Sequence, residues 1–390
     1  MMADGSMTMV LRSRAVCGLA LAGAALALAG CSYMPSWLSS SSKPKPAELG
    51  PIEAKLAVRQ IWTARVGQIG FPLQVHVDGA SAIVASEDGT VTALDTRNGQ
   101  ELWRASVGAK IAAGVGSDGK VSAVLTRTNE VVALAQGQVL WRQKLPAQGY
   151  TVPLVAGERV FVVAADRSIA AFDGRSGRRL WSQQRPGEPL VLSQPGVLIA
   201  VGDTLVTGFA GRLTGLNPGN GTVRWEAPIA TPRGTNDVER LVELVANVSR
   251  SGDVVCARAF QAAVGCVNTL RGQVLWSKTA NGATGVSGDG TLLFGTESNG
   301  TVVAWRQADG EKAWTSERLQ YRSLTAPLLL GRAVVIGDST GTVHLLSRED
   351  GSPLNRLVAD GSAIAAAPVS AGDTLVLVTD KGTVYGFRPN

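Results

Sequence analysis

The residues that could do chemistry are few and far apart. Four cysteines (Cys17, Cys31, Cys256, Cys266) and two histidines (His76, His344) are scattered over 390 residues. That supply does not suit a His-rich metal centre or several His bases. The sequence holds no HExxH, no CxxC, no Walker loop and no nucleophile elbow. Asp95, Asp173, Asn217 and Asn268 recur at one position of a repeated turn. There a short acceptor side chain folds the chain back on itself, and groups spread over separate repeats make no metal cluster. His76 and His344 read as structural or surface residues. Arg175, Arg178 and Arg179 read as a solvated turn rather than an anion site. No catalytic, metal-binding or cofactor-binding residue is assigned, and no cofactor is expected.

Cys31 belongs to another kind of chemistry. Arg12 and Arg14 precede an apolar run over 15–30, too short to span a hydrocarbon core of about 30 Å comfortably. A basic start and a short apolar run read as a secretory signal. The run ends Leu28-Ala29-Gly30-Cys31, which resembles the bacterial lipobox, whose cysteine carries acyl chains (palmitate among them) and becomes the first mature residue. Each buried methylene holds such an anchor by about 0.8 kcal/mol. Residues 1–30 are thus expected to be a lipoprotein signal peptide. Ser32 after the cysteine resembles an outer-membrane sorting pattern. Residues 31–56, rich in Ser, Pro and Lys, are expected to form the lipidated Cys and a flexible tether. The body would then face the periplasm, so the net charge of +6 does not point to nucleic acid.

What must position everything else is a repeat. Gly89-Thr-Val-Thr-Ala-Leu-Asp-Thr-Arg-Asn-Gly-Gln-Glu-Leu-Trp103 returns as 169–181, 211–225, 264–276 and 300–314, with a short copy ending at Trp141. A degenerate copy reaches Asn355 where Trp is expected. The closing positions are 62, 103, 141, 181, 225, 276, 314 and 355, spaced by 41, 38, 40, 44, 51, 38 and 41. Apolar residues alternate within each copy, and Gly, Asn and Asp punctuate them, which predicts short strands and tight turns. Four strands per forty residues is the unit of a β-propeller blade. The last copy, Gly382–Phe387, never reaches a Trp strand, and Ile61-Trp62 has no earlier strands of its own. The chain is therefore expected to be all-β. It would form an eight-bladed β-propeller of four-stranded antiparallel blades over 57–390, closed by pairing of its N- and C-terminal strands. Closure hides two sheet edges that would otherwise be open to aggregation.

Cys256 and Cys266 align with Ile83 and Ala93, which lie equally far from the turn at Asp88 and so face each other across a hairpin. Either a disulfide or two buried thiols fits that placement. Because strand direction reverses at each turn, the extra length of the two longest repeats falls in successive connections, 182–194 and 226–243, on one face. Long loops on a rigid scaffold are where binding usually sits.

The pattern G-x-V-x-A-L-D-x-x-x-G-x-x-L-W resembles the PQQ-type propeller repeat over essentially the whole mature chain. Quinoprotein dehydrogenases use it with pyrroloquinoline quinone and calcium, and many carry a vicinal Cys–Cys disulfide that is missing here. With its lipobox, tether and single propeller, the chain resembles the BamB-type lipoproteins of the outer-membrane β-barrel assembly (BAM) complex. That resemblance implies a non-catalytic scaffold that binds the periplasmic POTRA domains of BamA and other BAM components, with unfolded β-barrel proteins as further clients. It implies partner contacts at Leu190, Leu192, Glu239, Arg240, Leu241 and Glu243. The first loop continues Leu192-Ser193-Gln194 where the family commonly has Leu followed by Arg. The alternatives are a PQQ-dependent periplasmic redox enzyme and a scaffold lipoprotein of another envelope complex.

Overall fold

Each repeat folds into one four-stranded antiparallel sheet, and the described residues hold eight of them. The computed structural model describes residues 44–186, 191–232 and 241–390. Cys17, Cys31, Leu190, Glu239 and Arg240 lie outside those residues, as does the expected signal peptide. Strands A to D of each blade run from inside to outside. Blades 1 to 7 take them in chain order, over 76–106, 111–144, 154–184, 198–228, 244–279, 286–316 and 328–358. The middle strands are buried on both faces by neighbouring blades, so they read as apolar runs such as Ser81–Ala85. Outer strands such as Glu101–Ser106 alternate, with one side in water.

Blade 8 is made by both ends of the chain. Val369–Ala371, Thr374–Val378 and Thr383–Pro389 form its inner strands, and Val58–Arg65 is the outer one. Val58 pairs with Pro389 and Arg65 with Thr383. The closure expected from the half-repeats is the one the structure shows.

The tryptophans explain both the repeat and its exception. Each lies across from a small residue of strand C, as in Ala93 opposite Trp103, Ala133 opposite Trp141 and Gly386 opposite Trp62. Its indole then reaches into the next blade. Trp62 Nε1 donates to Thr96 O at 2.8 Å and Trp276 Nε1 to Gln307 O at 2.7 Å. The rings lie on turn glycines, Gly99 under Trp62 and Gly310 under Trp276. Those glycines have φ of 74° and 71°, and the rings fill the space a side chain would need. Asn355 breaks the pattern for a physical reason. The blade after it is the one where the chain begins and ends, so no turn glycine waits there. Leu345, not a small residue, stands opposite Asn355. The Asn355 amide donates to Leu56 O at 2.7 Å instead.

Cys256 and Cys266 pair across strands B and C of blade 5 and are joined as a disulfide, both fully buried. A short loop closed this way stabilises by about 2–3 kcal/mol in the chain-entropy account.

One expectation is corrected in part. The tether was expected to run free to residue 56, but residues 47–56 lie against blade 7. Lys55 N donates to Leu354 O at 2.7 Å and Ala47 N to Gln320 O at 2.9 Å. Leu49 and Leu56 pack against buried apolar clusters of the ring. Two leucines in a Ser/Pro-rich stretch suffice to dock it, because removing them from water outweighs the weak preferences of the residues around them.

A candidate partner-binding face over blade 4

The B–C turns and the connections from strand D to the next strand A share one face of the ring. The longest connections among them run from blade 3 to blade 4 (185–197) and from blade 4 to blade 5 (229–243). Their described parts both border blade 4. Val242 and Leu244 close over Gly211 and Gly208, where a Cβ would collide with them. Ala246 N donates to Pro195 O at 2.9 Å, and Gly196 pairs with Val245. The first connection is thereby tied to the inner strand of blade 5.

A buried ion pair pins the second connection. Arg167 lies in the B–C turn of blade 3 with φ of 65°, in the slot that Gly89, Gly300, Gly341 and Gly382 fill elsewhere. A side chain in that backbone region costs roughly 1–2 kcal/mol. Arg167 Nη2 lies 3.0 Å from Glu243 Oε1, with the two side chains 6% and 13% exposed. Glu243 also accepts the Ala210 amide. Burial pushes its carboxyl above the ordinary value of 4.5, against the pull of Arg167 and of that N–H. Such a pair fixes geometry more than it adds stability, because desolvation offsets most of the attraction.

Of the expected contact residues, Leu192 and Leu241 are half-buried on this face. Leu192 lines a cavity of about 50 Å³ with Val191, Gln194, Tyr150 and Phe209, beside Arg167. That volume admits water but not a substrate. Glu243 is turned inward and holds the connection rather than offering itself. Arg167 was not found from sequence; the available signal was a charged residue in a slot that Gly89, Gly300, Gly341 and Gly382 fill in other blades and Asn129 fills in blade 2. His76 is half-buried on strand A of blade 1, where burial lowers its pKa against Asp78 and Asp118. His344 is buried, with Nε2 3.0 Å from Asp338 Oδ2. Among the described residues, no group of three or more His, Cys, Asp or Glu is placed to hold a metal ion. The arrangement offers a rigid, partly apolar surface suited to binding.

The family model described as outer membrane protein assembly factor BamB matches residues 87–316. An outer membrane protein assembly factor BamB from Burkholderia pseudomallei is 37% identical over 98% of this chain and 100% of its own length. Its namesake from Bordetella pertussis is 36% identical over 94% of this chain and 95% of its own length. The crystal structure of BamB from Moraxella catarrhalis superposes with a TM-score of 0.78 at 22% identity, covering 85% of this chain and 99% of that one. A quinohemoprotein alcohol dehydrogenase from Pseudomonas putida superposes at 0.65 with 14% identity, over 85% of this chain and 76% of that one. At that identity the likeness is one of fold alone. The chain belongs to the BamB family of outer membrane protein assembly factors.

Proposed function

We propose that this chain is a non-catalytic scaffold of the outer-membrane β-barrel assembly complex. Acyl chains on Cys31 would anchor it to the outer membrane, and the ring would face the periplasm. The connections over blade 4 would bind the POTRA domains of BamA, with Leu190, Leu192, Glu239, Arg240 and Leu241 as contacts and Glu243 as the residue that positions them. One observation carries this reading: the ring's two longest connections on this face both border blade 4, one pinned by Arg167 and Glu243 and the other tied to blade 5. Apolar anchors with charged neighbours on a rigid base are how interfaces concentrate their energy.

The test is co-isolation of BamA with tagged chain from detergent-solubilised envelopes. Leu190→Glu with Leu192→Glu is expected to lower recovery at least ~10-fold, the effect of losing one strong anchor, with an unchanged unfolding midpoint. Undiminished recovery would place the contact elsewhere.

A further inference from the structure

The segment 47–56 crosses the rim of blade 7 from one face of the ring to the other. At its C-terminal end Arg332, in the A–B turn of blade 7, donates to Lys55 O at 2.9 Å. That turn lies on the face opposite the long connections. Midway, Arg356 Nη1 donates to Gly50 O at 3.1 Å, and Leu49 packs beside Phe294, Leu319 and Leu346. At its N-terminal end Ala47 is held by Gln320 O and by Arg322 Nε, the latter 3.2 Å from Ala47 O. Gln320 and Arg322 belong to the connection from blade 6 to blade 7, on the face of the long connections. Arg322 is itself aimed by a carboxylate: its Nη1 lies 2.7 Å from Asp338 Oδ2, the oxygen that also faces His344. Burial alone would raise the Asp338 carboxyl. Hydrogen bonds from His344, Thr340 and the Thr342 amide outweigh it and hold the group well below the usual range, so the anchor of Arg322 stays charged.

We propose that residues 47–56 are a strap that sets where the chain leading to Cys31 leaves the ring, on the same face as the two long connections. This rests on the lipid anchor assigned above. A free strap would move the exit to the opposite face, at Val58, and add ten residues to the chain between Cys31 and the ring. The strap therefore turns the partner-binding face toward the anchor instead of leaving the ring free to present either side.

The test uses full-length lipidated protein in vesicles of phosphatidylethanolamine and phosphatidylglycerol. Lys43 and Lys45 precede prolines, so Lys55–Leu56 is the strap bond open to trypsin. Leu49→Asp, which alters the strap alone, is expected to speed that cut at least ~10-fold by favouring local opening, and Arg322→Gln to do the same from the ring side. A dye on Ser339→Cys, in the B–C turn of blade 7, is expected to transfer more energy to an acceptor lipid than one on Asp373→Cys, in the A–B turn of blade 8. Leu49→Asp should abolish that difference. Equal cutting in all three proteins would overturn the strap, and greater transfer from Asp373→Cys in the native chain would overturn the exit face. Failure to sediment with vesicles would contradict the anchor instead, and the trypsin result would still decide the strap.

Discussion

The seam of blade 8 and the connections over blade 4 solve opposite problems. At the seam, two ends far apart in sequence supply what every other blade gets from one repeat, and Trp62 takes the same bed as its counterparts. Over blade 4 the repeat rule dictates nothing: a buried ion pair with a left-handed arginine pins one long connection to blade 3, and backbone bonds tie the other to blade 5. The first region obeys the pattern although the chain is broken there; the second departs from it although the chain is continuous. Conformity marks stability, and departure is where the proposed recognition falls.

Substitutions should separate the two. The largest effect is expected from Trp62→Ala, which empties a nearly buried indole site at the seam and should cost about 3–5 kcal/mol in urea unfolding. BamA capture per folded molecule should not change. Arg167→Met leaves Glu243 buried without its partner and should cost about 3 kcal/mol. Here capture should fall as well, because the second connection loses its pin. Adding Glu243→Leu to Arg167→Met should restore most of the stability; if the double variant is no better than the single one, the pair is not the pin.

The smallest effect is one of sign. Burial raises the Asp360 carboxyl, but bonds from Ser362, Thr383 and Thr379 outweigh it and hold it at about 2, below 3.8. Asp360 thus stabilises blade 8 above about pH 4, and that contribution is lost as pH falls toward 2. Glu243 is raised above 4.5, so its contribution is present below that pH and is lost as pH rises through the folded value. Urea midpoints against pH should lose the acid-side slope in Asp360→Asn and the opposite slope in Glu243→Gln. Slopes of the same sign would merge the two regions.

What could be read from sequence divides along the same line. The ring was legible because each repeat ends in a tryptophan that needs a small partner and a turn glycine, and both leave spacing in the sequence. Asn355 was legible as an exception, but its cause lies in where the ring closes, a relation between residues 299 positions apart. The docking of Leu49 and Leu56 was hidden by the Ser/Pro-rich composition around them. The roles of Arg167 and Glu243 were hidden because an ion pair 76 residues apart leaves no periodic trace. Loop content pointed to one face of the ring, while the direction each side chain takes there depends on contacts with blades 3 and 4.

The most direct measurement is a titration of purified chain against the purified periplasmic region of BamA. A saturable one-to-one complex is expected, weakened at least ~10-fold by Leu190→Glu with Leu192→Glu at an unchanged unfolding midpoint. Absence of a complex, or equal affinity of the variant, would contradict the scaffold reading at the face assigned to it.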